Sequence, residues 1–375
     1  MEHQILVINP GSTSTKIAVY KATTTPNTLT EVLASTIRHS TAELAPYVRI
    51  VEQYKFREDT ILGELEKNNY PLSTFTAIIG RGGLVKPIPS GTYQVNDLML
   101  QHLSEGYGGE HASNLGGLLA HSIAQQIPGC QAFIADPVVV DEFHDVARLT
   151  GFAEIKRRSI FHALNQKAIA KRYAQDCGTP YDKLNLIVVH MGGGISVGAH
   201  QQGRVIDVND ALQGDGPMGP ERAGSLPAMP LIRMCFSGQY TQEELIKKTA
   251  GKGGMVDLTG TNSFLDICNR MQAESRTGAQ TSHEASGPTA TQVFNAMAYA
   301  VGKEIGAMAA ALHGRIDAIL FTGGLAHSQL FVDQIANQIG FLAPCHTYPG
   351  EDEMYALAAN AYAILTGQES PGKYI

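Results

Sequence analysis

The chain has 375 residues, 43% hydrophobic and only 17% charged, enough for two or three domains with large cores and against disorder. A formal net charge of −7 leaves no basic footprint for nucleic acid, and no stretch approaches the roughly 18 uncharged apolar residues that span a membrane. Cys130, Cys177, Cys235, Cys268 and Cys345 are scattered without a CxxC pair, and the N-terminus lacks the basic start and apolar run of a signal peptide, so the expectation is a cytoplasmic protein with reduced thiols and no zinc site.

In chain order, Ile5–Ile8 reads as a buried strand ending in a Gly/Ser/Thr turn, with Lys16–Tyr20 returning as a hairpin. Residues 41–70 read as helix, Phe75–Ile79 as a strand stopped at Gly80, and Leu98–Leu103 and Leu115–Ile127 as helices. Ala132–Ala135 is a buried strand carrying Asp136 at its end. A second cycle follows: the strand Leu186–His190, the run Gly192-Gly193-Gly194, and strands at Ile195–Ala199 and Arg204–Val208. Ala318–Thr322 is a further strand, ending at Gly323-Gly324. Residues 291–313 and Met354–Thr366 read as Ala-rich helices, and Gly214–Pro230 as a long Gly/Pro loop of the functional kind. Strand, glycine turn, strand therefore occurs twice, which predicts a duplicated α/β unit whose hairpins face a shared cleft.

Three motifs carry chemistry. In Asn9-Pro10-Gly11-Ser12-Thr13-Ser14-Thr15-Lys16, a tight turn with four hydroxyls offers backbone and side-chain donors to phosphate oxygens, without the GxxxxGK[ST] spacing of a Walker loop. In His190-Met191-Gly192-Gly193-Gly194, the glycines let backbone approach an anion. Phe321-Thr322-Gly323-Gly324 ends a strand in a flat floor suited to adenosine.

In this order the three motifs resemble the acetokinase family of short-chain carboxylic acid kinases, over essentially the whole chain from Ile8 to Ala358. Ile160-Phe161-His162 and Met218-Gly219-Pro220-Glu221-Arg222-Ala223-Gly224 look like family blocks, and Asp136-Pro137-Val138-Val139-Val140-Asp141-Glu142 like a block of its butyrate branch. The resemblance implies an α/β fold of duplicated ASKHA domains, the ribonuclease H-like architecture of sugar kinases and actin. One domain would take residues 1–165 plus 353–375 and the acyl substrate, the other residues 166–352 and the nucleotide. It implies ATP/ADP and Mg²⁺ as cofactors, a short-chain fatty acid or its acyl phosphate as substrate, and a homodimer or higher homo-oligomer.

A carboxylate is already nucleophilic at pH 7, so the chemistry needs positioning and charge neutralisation rather than a base. By resemblance, Arg81 takes the substrate carboxylate, a task suited to its planar fork. Arg222 neutralises the transferring phosphoryl group, and His162 donates to it. Asp136 anchors the Mg²⁺ water shell, with Glu353 as second candidate and Asn9 completing it through water. His111 and Phe161 face the substrate. Gly11, Ser12, Ser14, Lys16, Gly192, Gly193, Gly194, Gly323 and Gly324 cradle the nucleotide.

The chain departs from the acetate kinase pattern at three places. Gly82 follows Arg81 directly where acetate kinases carry Val-Val-His, Gly193 replaces Asn, and Ala163 replaces Gly after the histidine. Lacking a valine wall, the acyl pocket is expected to be roomier, favouring butyrate or a branched acid over acetate, with an acetate or propionate kinase as the alternative. Two rivals are a sugar or glycerol kinase, which would want a carboxylate base, and a non-catalytic nucleotide switch of the same fold.

Overall fold

A computed structural model describes residues 2–24, 27–277 and 287–375. The chain forms two compact units: Met1–Asp141 with Ala163–Asn165 and Asp352–Ile375, and Glu142–His162 with Gln166–Glu351.

The first unit is built on strands β1 (Glu2–Pro10), β2 (Ser14–Thr24), β3 (Asn27–Arg38), β4 (Ala77–Arg81), β5 (Thr92–Gln94) and β6 (Gln131–Ala135), in sheet order β3-β2-β1-β4-β6-β5. The meander β1–β2–β3 is antiparallel, and β1, β4 and β6 run parallel. Parallel strands buried on both faces read as unbroken apolar runs, which explains Ile5–Ile8 and Ala77–Ile79. The registers Ile8 to Gly80 and Arg81 to Ala135 bring the carboxyl ends of β1, β4 and β6 level, and ligands of α/β sheets bind beyond such ends. Ile61, Leu65, Leu115, Leu119 and Ile123 are fully or almost fully buried against this sheet, each contributing roughly 1.5–3 kcal/mol.

The second unit carries β7 (Asn185–Met191), β8 (Ile195–Gln201), β9 (Arg204–Val208), β10 (Ala318–Gly323) and β11 (Cys345–Pro349), in order β11-β10-β7-β8-β9. Its first three strands are antiparallel, and β10 and β11 are parallel to β7. The two sheets thus repeat one topology, a meander followed by parallel strands, with β5 added in the first. The helix Ala290–Ala311 starts from a capping box at Thr289 and Gln292 and buries Phe294, Met297, Val301 and Ile305.

The expected helix over 41–70 is broken into Thr41–Leu44, a 3₁₀ turn at Ile50–Gln53 and the helix Tyr54–Lys67. Pro46 explains the break, since it has no N–H to continue the helical ladder after Ala45. The loop expected to reach Pro230 ends earlier, at the helix Ala228–Cys235. Among the described residues, no helix is long and apolar enough to cross a membrane.

Candidate active site

In the first unit, β1 runs into the turn Gly11–Thr13, closed by Gly11 N–H donating to the Ser14 carbonyl at 2.7 Å. Arg57, wholly buried on the helix Tyr54–Lys67, braces this turn. Its Nη1 donates to the Gly11 carbonyl at 2.8 Å, the Ser14 carbonyl at 3.0 Å and Thr15 Oγ1 at 3.0 Å. Its Nη2 reaches the Ser12 carbonyl at 3.1 Å, while Gln53 Oε1 accepts from Nε at 3.1 Å and from Nη2 at 2.8 Å. Burial lowers its pKa to about 10. With the turn's carbonyls drawn onto one guanidinium, Ser12 and Thr13 stand exposed, as does Lys16 opposite Asn9 in the β1–β2 register. Sequence reading missed Arg57, because a lone arginine on a helix gives no local sign of a partner 46 residues away. Arg57→Met should cost about 2–4 kcal/mol, since it strands several buried acceptors at once. It should also weaken nucleotide binding; urea unfolding and nucleotide titration check the two effects.

At the level strand ends, Arg81 Nη2 pairs with Glu353 Oε1 at 3.2 Å, Asn9 Nδ2 donates to Glu353 Oε2 at 2.9 Å, and Arg81 Nη1 stands 3.5 Å from Asn9 Oδ1. Glu353 opens the helix Glu353–Leu365, where a carboxylate is favoured by the helix dipole. Asp136 follows β6 at φ +37°, a left-handed conformation that Asp tolerates better than most residues. Its Oδ1 accepts from Ser90 Oγ at 2.7 Å and Gly91 N–H at 2.8 Å. His111 keeps an exposed edge, yet surrounding protein and then the Arg81 charge push its pKa down. Its Nδ1 accepts from Ser113 N–H at 3.2 Å, so in the neutral ring the proton sits on Nε2. Asn9, Arg81 and Glu353 are thus in mutual contact, and His111 lies within the influence of Arg81.

A Cβ placed on Gly82 would fall 2.6 Å from Pro137 Cβ. Pro137 therefore fills the direction a side chain at position 82 would take.

In the second unit, Gly192–Gly194 turns β7 into β8, closed by Gly192 N–H to the Gly194 carbonyl at 3.0 Å. A Cβ on Gly194 would lie 2.3 Å from Arg222 Nη1, so only glycine lets the guanidinium sit against this turn. Burial lowers the Arg222 pKa, partly offset by Glu221 and Asp210. Its Nε is buried without a hydrogen-bond partner among the described residues. The His162 ring stacks on His190 at 3.8 Å, and its Nδ1 lies 2.9 Å from Ser196 Oγ. Phe161 is buried.

Gly323 takes φ +89° and packs so tightly that a Cβ would lie 2.5 Å from the Met191 carbonyl oxygen, whereas the space over Gly324 is open. Gly193 and Gly324 line a cavity of about 560 Å³ together with Glu221, Asn262, Phe264, Leu325 and Ser328, within the size range of small-molecule sites. Asn262, Phe264 and Ser328 were not anticipated: they are ordinary residues in sequence, gathered only by the fold.

Among the described residues, no group of three or more His, Cys, Asp or Glu side chains could hold a metal ion. Mg²⁺ usually takes one or two carboxylates, waters and substrate phosphates. The oxygen donors Asp136, Glu353 and Asn9 fit that sparse set.

Burial lowers the pKa of His39, His111 and His200, helped by Arg57, Arg81 and Lys167 respectively. Below the ordinary value of 6.5 the unfolded chain takes up protons that these folded rings refuse, so stability is expected to fall as pH drops from 7 toward 5. Thermal scans at pH 7.5 and 5.5 test this; an unchanged or higher Tm at pH 5.5 would contradict it.

A profile described as the Acetokinase family matches residues 152–344. The chain is 51% identical over 374 residues to Butyrate kinase 2 of Clostridium acetobutylicum, covering 100% of both chains. Among solved structures it resembles Porphyromonas gingivalis acetate kinase, with TM-score 0.74 and 17% identity over 97% of this chain and 100% of that one. It also resembles a propionate kinase from Francisella tularensis, with TM-score 0.68 and 17% identity over 96% and 98% of the two chains. These two structural likenesses establish the ASKHA fold.

Proposed function

Because the chain belongs to the acetokinase family, we propose that it transfers the γ-phosphoryl group of ATP to the carboxylate of a short-chain fatty acid, with butyrate as its preferred acceptor. The observation that carries this reading is the full-length identity to a butyrate kinase. The half-buried Arg222 guanidinium, whose buried Nε has no hydrogen-bond partner among the described residues, supports the phosphoryl-transfer chemistry.

The first unit binds the acid, and the second binds the nucleotide. Arg81 holds the substrate carboxylate. A carboxylate oxygen forms a bond to the γ-phosphorus while the bond to the β,γ-bridging oxygen breaks, and ADP leaves with the electron pair. No proton is abstracted, so neither Asp136 nor Glu353 is needed as a base. His111, neutral and protonated at Nε2, donates on the acid's side. The Gly11–Ser14 turn with Lys16, and the turn Gly192–Gly194, receive the phosphates; Gly323 and Gly324 floor the adenosine. Arg222 and His162 offset the charge on the transferring oxygens. Asp136, Glu353 and Asn9 would hold Mg²⁺ with its waters, and the ion would neutralise phosphate charge. The reaction is reversible, since an acyl phosphate is itself a strong phosphoryl donor.

Free cysteines support a reducing, cytoplasmic setting. Exposed Met229, Ile232 and Phe236, on and just beyond the helix Ala228–Cys235, support a homodimer or larger assembly.

Trapping acyl phosphate with hydroxylamine tests the reading. Butyrate should exceed acetate in kcat/KM by about tenfold, as two further buried CH₂ groups at about 0.8 kcal/mol each allow. Phosphorylation of glucose or glycerol without hydroxamate from any short acid would overturn it.

A further inference from the structure

Behind the His162 ring, the second unit holds a line of buried polar side chains that the mechanism above does not use. Ser196 Oγ, 2.9 Å from His162 Nδ1, is 2.8 Å from Gln166 Nε2. The same amide nitrogen donates to the Ser196 carbonyl at 3.1 Å. A carbonyl only accepts, so the orientation of the Gln166 amide is fixed. Its Oε1, 2.9 Å from His200 Nε2, must then accept from that nitrogen. His200 is fully buried, and burial with the nearby Lys167 charge keeps it neutral. A neutral ring that donates from Nε2 accepts at Nδ1, and Tyr181 Oη lies 2.7 Å from Nδ1.

Every hydrogen bond in the line now has one direction. Tyr181 donates to His200, His200 to Gln166, and Gln166 to Ser196. Ser196 Oγ already accepts from Gln166, and among the described residues the acceptor within reach of its own proton is His162 Nδ1. The reverse arrangement, with His162 donating from Nδ1, would strand a buried hydroxyl proton at a cost of about 1–3 kcal/mol.

We propose that Gln166, set by His200 and Tyr181, acts through Ser196 to keep the His162 proton on Nε2. Gln166 and Ser196 are then positioning residues for the phosphoryl transfer. The role rests on the proposed reaction, but the placement of the proton does not. Lys167, buried and bound to Glu142 Oε2 at 2.7 Å and the Gly203 carbonyl at 2.8 Å, anchors the next position of the same helix, Ala163–Cys177.

The test uses the full chain with ¹⁵N-labelled histidine, His162 being assigned by its loss in His162→Gln. Two-bond ¹H–¹⁵N correlations should show His162 neutral and protonated at Nε2. Gln166→Glu puts an acceptor-only carboxylate where the amide donates. It should draw the Ser196 proton away and turn His162 to the Nδ1–H or doubly protonated form. Hydroxamate kcat should fall roughly 10- to 100-fold with KM within about twofold, the scale seen when the partner orienting a functional histidine is removed. Ser196→Ala should behave alike, and Ser196→Thr, which keeps the hydroxyl, should restore both the Nε2–H signature and most of kcat. An Nδ1–H ring in the unaltered protein, or an unchanged tautomer in Gln166→Glu, would overturn the proposal. If no short acid yields hydroxamate while the tautomer moves as described, the reaction reading fails and the proton placement stands.

Discussion

Arg222→Ala is expected to lower kcat for acyl phosphate formation about a thousandfold while leaving Tm unchanged or slightly raised. The two halves of that result have one cause. The guanidinium is desolvated against the Gly192–Gly194 turn, and its Nε finds no acceptor among the described residues. A half-buried charge whose Nε is left without a hydrogen bond adds little to the fold. It is useful only when an anion arrives, and a cation aimed at a transferring phosphoryl group accounts for about 10³- to 10⁵-fold in related chemistry. Arg222→Lys should recover little, since a point charge cannot reproduce the fork. Hydroxamate kinetics and a thermal scan on the same preparation decide it; a loss under tenfold in kcat would remove Arg222 from the proposed machinery.

Gly116→Ala should destabilise the protein by about 3 kcal/mol or more, because neither neighbour can yield cheaply. A Cβ there would lie 2.2 Å from the Arg81 carbonyl oxygen, and one on Gly80 would lie 2.0 Å from the Gly116 carbonyl oxygen. The helix Asn114–Gln125 and β4 meet backbone to backbone at this point, directly beneath the proposed carboxylate anchor. Any relief would move Arg81, so residual activity should fall further than stability alone implies. Gly63→Ala is the control: it lies within the helix Tyr54–Lys67 with nothing within 4 Å, and should stabilise by roughly 0.5–1 kcal/mol. Urea unfolding of the two variants separates packing from helix propensity. Equal, small effects would mean the backbone contact is soft.

Much of this architecture was readable in the chain because buried parallel strands carry no polar positions. The runs at Ile5–Ile8, Leu186–Val189 and Ala318–Phe321 declare themselves, and glycines where they end mark where ligands approach. The strand β3 escaped notice because it lies at the sheet edge, where its apolar residues alternate with exposed ones and its ends are polar. The break near Pro46 was legible in principle, but the interleaved Val48, Ile50 and Val51 suggested a continuous helix. Site residues at strand ends could be named from sequence; their supports could not. Arg57 and Gln166 gain meaning only through partners 46 and 30 residues away. Nothing in local composition distinguishes them from the solvent-facing side chains of any polar helix. Pro137 is the opposite case, a residue quoted within a motif whose actual contribution is to occupy the volume beside Gly82.

The pairing of Arg81 with Glu353 at 3.2 Å alters what an affinity measured on this enzyme would mean. On the proposed reading, the incoming acid does not meet a bare cation. It exchanges with a carboxylate already in residence, so the dissociation constant is the difference between two similar ion pairs. Such a constant is shallow by construction and responds to anything that draws Glu353 elsewhere. A metal-loaded nucleotide is one such competitor for its oxygens, which would make the order in which the two substrates arrive matter.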